Sequence, residues 1–440
     1  MRITYERVAG IDVHKKTVVV TRLRVTEEQQ VEWETHTFGT TTPELLQAYD
    51  WLQEWECRQV ALESTGDYWK PVYNLLEEDF EVWVVNAQHV KRVPGRKTDA
   101  SDAEWLAELL AYGLLQPSFI PPKPQRALRE LTRYRTRLIQ ERSRLVNRVQ
   151  KLLEGANIKL ASVATDLQGV SARAILAELA AGNTDAEALA ELARGRLRNK
   201  IPELERALTG KVEPHHRFLL SQQLEHIDFL DEQVAEIEAE IERQLEAMSP
   251  LSEASETAEE ATATPPTPAG SPISWSTAVS LLDTIPGINR QAAQIILAEI
   301  GVDMSVFPTA GHLCRWAGVA PGNNESGGKH YSGRTTKGNR VLKSTLVECA
   351  QAAIRTKDSF FKARYQRLVA RRGKQRAIMA IAHSILKAIW QMLRSGEVYH
   401  DLGAEYYNQR DKDAKVAYYT RQLEKLTGAK VQIALGEAMA

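Results

Sequence analysis

Four acidic residues in the first quarter of the sequence have the types and the spacing of a divalent-metal site. They are Asp12, Glu63, Asp99 and Asp102. The first two each end a short apolar run rich in β-branched residues, and the last two are three apart in a helical pattern, on one helix face. Carboxylates are preferred ligands of hard divalent cations, and a cation offsets the charge of clustered acids. This arrangement predicts metal-assisted phosphoryl transfer on nucleic acid.

A second group of chemically suggestive residues lies in the glycine-rich, basic segment 322–340. Its cations are Lys329, Arg334, Lys337 and Arg340, and Ser326, Gly327 and Gly328 precede them. Glycines let the backbone approach a phosphate closely, and successive N–H groups can bind an anion. A serine beside such groups is a candidate nucleophile. The alternative is a phosphate-binding loop in which Ser326 is structural, and the residue chemistry alone favours that alternative.

The elements that must position the four acids follow from the period of the apolar residues. Alternation predicts five strands, at 7–13, 17–25, 31–38, 58–63 and 80–86. Helical patterns begin at Thr42-Pro43, near Tyr68 and after Asp99. The order βββαβαβα predicts an α/β ribonuclease-H-like domain over residues 1–120.

Residues 121–248 are predicted to be helical. A long helix spans 125–154, short helices follow over roughly 172–209, and an apolar heptad pattern runs from Leu220 to Met248. The heptads favour a coiled-coil seam. A hairpin with the 125–154 helix and an intermolecular dimer interface both satisfy this pattern, and the sequence leaves the choice open.

The remaining sequence predicts a linker, a mainly helical C-terminal domain and a tail. Segment 249–274 is rich in Ser, Thr, Ala, Glu and Pro, which favours a flexible linker. The C-terminal domain spans 275–400, and a helical tail spans 401–440. Two apolar helices flanking Pro286-Gly287-Ile288 predict a helix-hairpin-helix-like element, with Gly287 near a DNA phosphate. An ordinary helical hairpin with glycine in its turn is the alternative.

The charge distribution favours a polyanionic partner, although the net charge is only −1. Residues 311–380 hold fifteen Lys or Arg against three acids, and residues 121–160 hold eleven against three. These blocks predict nucleic-acid contact. The alternative is a pair of solvated helix faces.

The expected compartment is the cytoplasm of a bacterium or archaeon, in association with the nucleoid. Three scattered cysteines without metal-ligand spacing fit a reducing setting. No apolar run approaches the roughly 18 residues of a membrane span, and the N-terminus lacks a signal-peptide pattern. No membrane partner is therefore expected.

Several short motifs follow one another along residues 8–393. The first half contains Gly10-Ile11-Asp12-Val13-His14-Lys15, Glu63-Ser64-Thr65-Gly66-Asp67-Tyr68-Trp69, Asn86-Ala87 and Lys97-Thr98-Asp99-Ala100-Ser101-Asp102-Ala103. The second half contains Pro286-Gly287-Ile288, Ala317-Gly318-Val319-Ala320-Pro321, Ser326-Gly327-Gly328-Lys329, Lys337-Gly338-Asn339-Arg340 and a closing helical run from Arg376 to Leu393. Together they resemble the DEDD-type insertion-sequence transposases, which join a RuvC-like domain to a C-terminal serine transposase domain.

The resemblance implies a recombinase that excises and inserts a DNA element under the guidance of a structured bridge RNA. Magnesium would be held by the four acids, and Ser326 would attack donor and target DNA to form a phosphoserine intermediate. Ser332 also precedes a glycine and is the alternative nucleophile. The resemblance further implies a homodimer or homotetramer in which the acids of one subunit meet the serine of another.

Two other functions compete with this interpretation. A magnesium-dependent, structure-specific DNA nuclease of the Holliday-junction-resolvase type needs the four acids and no serine. A nucleic-acid-binding scaffold with a decayed site needs neither, but the presence of all four acids counts against decay.

Overall fold

The computed structural model describes residues 3–26, 30–63, 66–86, 102–249, 273–322, 324–332 and 334–430. The chain divides into two compact units, Met1–Pro121 and Pro122–Ala440. Among the described residues, none of the helices combines the length and the apolar character needed to cross a bilayer.

The first unit is built on a five-stranded sheet. Its strands are β1 (Arg7–Val13), β2 (Thr17–Val25), β3 (Val31–Gly39), β4 (Gln59–Glu63) and β5 (Glu81–Val85). They lie in the order β3-β2-β1-β4-β5, with β1, β2 and β3 antiparallel and β1, β4 and β5 parallel. The described residues of this unit also form the helices α1 (Thr42–Glu54), α2 (Trp69–Leu76) and α3 (Asp102–Ala111). The predicted element order is confirmed, and it is that of a ribonuclease-H-like domain.

Side chains alternate along the strands, so the two faces of this sheet pack against different helices. Ala9, Ile11 and Val13 of β1 pack with apolar residues of α1 and α2. Val8 of β1 and Ala61 of β4 pack instead with α3. Because side chains alternate with a period of two, even-numbered residues of β1 and odd-numbered residues of β4 face α3. Asp12 and Glu63 both belong to these sets.

Two long helices organise the first part of the second unit. They are α4 (Lys123–Gly155) and α9 (Pro214–Met248). The shorter helices between them are α5 (Leu160–Val163), α6 (Val170–Ala181), α7 (Ala186–Ala190) and α8 (Ile201–Leu208), with a 3-10 turn at Gly195–Lys200.

The apolar heptads of α9 are buried within the chain. Leu220, Leu224, Ile227 and Leu230 join one hydrophobic core with the apolar stripe of α4. Asp231 pairs with Arg142, whereas Glu238 and Glu242, about two and three turns later, lie near Arg135, so the helices run antiparallel. Of the two arrangements that the sequence left open, the structure has the intramolecular one.

The rest of the second unit is mainly helical. It contains α10 (Trp275–Asp283), α11 (Arg290–Ile300), α12 (Ala310–Trp316), α13 (Arg340–Ala353), α14 (Phe360–Arg372), α15 (Lys374–Ser395) and α16 (Tyr406–Thr427), with a 3-10 turn at Met304–Val306. One hairpin joins β6 (Asn324–Ser326) to β7 (Lys329–Ser332).

The boundaries predicted inside the second unit remain predictions. Side chains of α4 bond to the end of α11, so parts of the expected 121–248 and 275–400 domains pack together within one unit. Most of the expected linker, 250–272, lies outside the described residues.

Candidate active site

The first candidate site lies where β1 and β4 end. The two strands are parallel neighbours, and Ile11 pairs with Leu62. The next residues along them are Asp12 and Glu63, and both are on the face that α3 covers. The described part of that helix starts with Asp102, the fourth acid that the sequence singled out.

Gly10 explains how closely α3 approaches β1. A Cβ atom at Gly10 would lie 2.1 Å from the carbonyl oxygen of Ala103 and 2.4 Å from the amide nitrogen of Ala107. Both atoms are helix backbone, which cannot move aside as a flexible side chain does. The absence of a side chain at Gly10 therefore lets the first turns of α3 rest on the strand that carries Asp12.

Asp12 has the electrostatics of an acid in a crowded site. Its side chain is 15% exposed. Burial, and then the nearby charge of Asp102, raise the pKa of Asp12 above its ordinary value. His14 acts in the opposite direction, with its Nε2 atom 3.2 Å from Oδ2 of Asp12. Asp102 is therefore close enough to Asp12 to disfavour ionisation of the Asp12 carboxyl.

The donor chemistry of this cluster fits a hard divalent cation, but the described part of it is incomplete. Asp99 lies outside the described residues. Within those residues, no group of three or more His, Cys, Asp or Glu side chains is placed to hold a metal ion. A cation between Asp12 and Asp102 would relieve the repulsion that raises the pKa of Asp12. Magnesium binding stays a prediction.

The second candidate site is the hairpin that carries Ser326. Ser326 ends β6 and pairs with Lys329, so that Gly327 and Gly328 form a two-residue loop. Their φ angles are 58° and 76°, as in a type I′ turn, which requires positive φ at both positions. A Cβ at either glycine would meet open space. The turn alone therefore accounts for both glycines, and the positions of the Ser326 and Ser332 side chains lie outside what is described.

The basic segment after the hairpin is pressed against the Ala317-Gly318 turn. A Cβ at Gly338 would lie 2.3 Å from the amide nitrogen of Gly318, and a Cβ at Gly318 would lie 2.9 Å from the carbonyl oxygen of Thr336. The amide of Gly322 also donates to the carbonyl oxygen of Arg334, at 2.9 Å. Two motifs that are about twenty residues apart in sequence thus meet backbone to backbone.

The cations of this segment are on the surface. Lys329, Arg334, Lys337 and Arg340 are all exposed. Lys337 and Arg340 flank Asn339, whose side chain accepts a hydrogen bond from the amide of Leu342 and so caps the start of α13. The arrangement suits contact with phosphates, which is the role predicted for all four.

Gly287 has a packing role that the sequence did not predict. It lies in the turn of residues 284–289 between α10 and α11, with φ at +87°. A Cβ there would lie 2.4 Å from the carbonyl oxygen of Cys349 and 2.5 Å from the amide nitrogen of Ala353, both in α13. The turn needs glycine to approach that helix. The predicted phosphate contact of Gly287 is untested.

The structure separates the arginines of the basic helix α4 into two groups. Arg129, Arg133, Arg135 and Arg142 bond to groups on α9 or α11. Arg137, Arg144 and Arg148 are exposed and form no ion pair with any described residue. Only part of the predicted basic block is therefore available to a polyanion.

Sequence analysis missed Glu299, the partner of two of these arginines. Glu299 is fully buried in α11, and Arg133 donates to both of its carboxylate oxygens, at 2.7 and 2.9 Å. Its signal in the sequence is an acid inside the apolar run 296–300, since a buried charge requires a partner. That signal does not reveal which residues form the pair.

Comparison with known families gives one family match in each half of the chain. A DEDD-type model of IS110 transposases matches residues 9–158, and a model described as Transposase IS116/IS110/IS902 family matches residues 279–366. The chain belongs to this transposase family. The first match contains all four acids, and the second contains Ser326 and the basic segment. The chain is thus a DNA transposase with a ribonuclease-H-like first domain.

Three curated relatives illustrate the extent of the similarity. The transposase for insertion sequence element IS1111A of Coxiella burnetii is 24% identical over 327 residues, which is 72% of each chain. The uncharacterized 44.8 kDa protein of insertion element IS116 of Streptomyces clavuligerus is 25% identical over 72% of this chain and 79% of its own length. The uncharacterized 43.6 kDa protein of insertion element IS110 of Streptomyces coelicolor is 33% identical, but over only 27% of this chain and 29% of its own length.

Proposed function

We propose that this transposase is an RNA-guided DNA recombinase that exchanges strands through a phosphoserine intermediate. The observation that supports it most directly is the placement of Asp12 and Glu63 at the ends of neighbouring parallel strands, with the charge of Asp102 near Asp12. Such acids suit phosphoryl transfer, and the second family match adds a serine beside a basic, glycine-containing segment.

The four acids have one joint role in this proposal. Asp12, Glu63, Asp99 and Asp102 would hold Mg²⁺, which polarises phosphoryl oxygens and stabilises a leaving oxygen. Of these acids, Asp12 and Glu63 lie on strands and Asp102 lies on a helix, so these three carboxylates are carried by rigid elements. His14, which contacts Asp12, would orient that carboxylate.

Ser326 has the covalent role. Its Oγ atom attacks the phosphorus of a DNA phosphodiester, the Oγ–P bond forms, and the bond from phosphorus to the 3′ oxygen breaks. The proton lost by the serine is balanced by the proton gained at the 3′ oxygen, which leaves a free 3′-hydroxyl. Because the phosphoserine link conserves the bond energy, rejoining needs no nucleotide cofactor.

The basic residues would hold nucleic-acid backbone. Lys329, Arg334, Lys337 and Arg340 would neutralise phosphates of donor and target DNA near the attacked bond. Arg137, Arg144 and Arg148 of α4 would follow the backbone of DNA or of the bridge RNA. Base recognition would belong to the RNA, by pairing with the DNA. A homodimer or homotetramer would bring the acids of one subunit to the serine of another.

An excision assay in cells tests the serine. The gene is supplied with its native flanking DNA, and the excised circular junction is quantified for wild type, Ser326→Ala and the matched variant Ser332→Ala. We expect Ser326→Ala to reduce the junction by at least about 10³-fold, the order of loss when a nucleophile is removed. We expect Ser332→Ala and wild type to give similar amounts. Junctions that persist in Ser326→Ala would contradict the covalent mechanism.

The guide is tested separately. The protein is purified from its native host, and the bound RNA is sequenced. A single defined transcript from the flank of the element supports RNA guidance, whereas a random sample of cellular RNA contradicts it.

A further inference from the structure

Glu299 joins three elements at one buried carboxylate. Its side chain is 0% exposed. Arg133 of α4 donates to Oε1 and Oε2, at 2.7 and 2.9 Å, and Nε of Arg129 lies 3.2 Å from Oε2. Asn339, the capping residue of α13, donates from Nδ2 to Oε2 at 2.6 Å. Elements α4, α11 and the start of α13 are therefore connected through this group.

Both polar atoms of the Asn339 side-chain amide form hydrogen bonds. Its nitrogen donates to Glu299, and its oxygen accepts from the amide of Leu342 at 3.1 Å. This double engagement leaves one orientation of the side chain that satisfies both partners. The backbone on either side carries Lys337 and Arg340, which are exposed.

The two arginines around Glu299 make the loss of its carboxylate charge destabilising. Arg129 also donates to the backbone carbonyl oxygen of Glu299 at 2.6 Å. Burial lowers the pKa of Arg129 to about 10, and Glu299 acts against this effect. Two guanidinium groups thus depend on one carboxylate, and removal of its charge leaves them uncompensated.

We infer that Glu299 is a positioning residue for nucleic-acid binding, which through Asn339 holds Lys337 and Arg340 at the start of α13 in the geometry that contacts phosphates. The inference rests on the role of these two cations under the proposed function. Glu299 then has a role beyond folding, because its carboxylate accepts a hydrogen bond from Asn339, which lies between Lys337 and Arg340 in the sequence. Helix α4, whose Arg129 and Arg133 contact Glu299, also helps to hold the residues around Asn339.

The test exchanges the carboxylate and the amide between positions 299 and 339, so that the hydrogen bond between the two side chains and their net charge are kept. Glu299→Gln removes the carboxylate, and Asn339→Asp keeps a capping oxygen but places a second carboxylate against Glu299. The double variant Glu299→Gln/Asn339→Asp restores one amide facing one carboxylate, with the polarity reversed. Glu242→Gln is the matched control, since Glu242 accepts two bonds from Arg290 at 2.8 and 2.5 Å and lies outside this group.

The measurement is the salt dependence of binding by the full chain to a short random-sequence DNA duplex. Each lost phosphate contact reduces the slope of log K against log salt by about 0.9. We expect each single variant to reduce the slope by about 1 to 2, and the double variant to return it to the wild-type value. Glu242→Gln should leave the slope unchanged. Lys337→Ala/Arg340→Ala should show the same loss, and adding Glu299→Gln to it should cause no further loss.

Two results would overturn the inference in distinguishable ways. If Glu299→Gln lowers the melting temperature and leaves the slope at the wild-type value, Glu299 is purely structural. If Lys337→Ala/Arg340→Ala itself leaves the slope unchanged, the role of these cations in the proposed function fails, and the inference fails with it.

Discussion

Gly10 sets the approach of the helix that carries Asp102 to the strand that carries Asp12. In the sequence, Gly10 stands out only as part of a motif, because a pattern of residues does not show which backbone lies above a glycine. The structure supplies the reason, since Ala103 and Ala107 occupy the space that a side chain would need.

The variant Gly10→Ala tests this packing. The new methyl group would have to displace α3, so we expect a loss of stability of about 1–3 kcal/mol, the usual cost of overpacking, and a loss of DNA cleavage. Thermal denaturation measures the first effect. Gly155→Ala is the control, since a Cβ at Gly155 meets no atom within 4 Å. Equal melting temperatures for Gly10→Ala and wild type would contradict the packing argument.

We expect His383 to make the second unit less stable at acidic pH. Burial, followed by the positive charges of Lys387 and Arg364, lowers the pKa of His383 below 6.5. The unfolded chain therefore binds a proton at a pH where the folded chain does not, so stability is lost as pH falls below 6.5. Urea midpoints at pH 7.5, 6.0 and 5.0 should decrease less steeply for His383→Leu than for wild type. Identical pH profiles would show that His383 does not contribute.

At the scale of elements, helix α4 has two kinds of arginine that the sequence could not separate. The local composition gives only the number of cations in the helix, whereas the fold shows that Arg133 and Arg135 face α11. The helix itself was predictable, because its apolar stripe keeps a helical period over many turns. The heptads of α9 were predictable for the same reason, whereas their partner was not, because periodicity defines a face and not what covers it.

The exposed arginines of α4 give a prediction for binding. Replacing Arg137, Arg144 and Arg148 together by Gln should reduce the slope of log K against log salt by up to about 2.7, since each phosphate contact contributes about 0.9. Stability should change by less than about 0.5 kcal/mol per site, as is usual for surface positions. Fluorescence anisotropy with labelled DNA or RNA measures the slope.

A matched internal arginine provides the control for that experiment. Arg135 is 1% exposed and donates to Gln294 at 2.6 Å. Arg135→Gln should destabilise the protein without changing the slope. The opposite pattern, with a changed slope for Arg135→Gln and none for the exposed triple variant, would contradict the division of the helix.

At the scale of the whole molecule, the sequence predicted the order of the elements in the first unit better than the long-range contacts of the second. The acids Asp12 and Glu63 were found because strand ends can be located from alternation, and the register of β1 with β4 agrees. Glu299 and its bonds were missed, because its partners are 40 to 170 positions away in sequence. Long-range pairing of that kind has no local pattern.

The mechanism proposed above divides one reaction between the two halves of the chain, with acids from the first and a nucleophile from the second. It predicts a covalent protein–DNA adduct at one serine. Trypsin separates the two candidates, because cleavage after Arg315, Lys329 and Arg334 places Ser326 in peptide 316–329 and Ser332 in peptide 330–334.

The most direct measurement is mass spectrometry of the protein recovered from denaturing gels after reaction with DNA carrying its own element ends and Mg²⁺. After nuclease digestion, the account predicts a nucleotide remnant on peptide 316–329 of the wild type, and no adduct for Ser326→Ala. Cleaved DNA ends without any adduct on the wild-type protein would contradict it and would favour a nuclease that uses the acids alone.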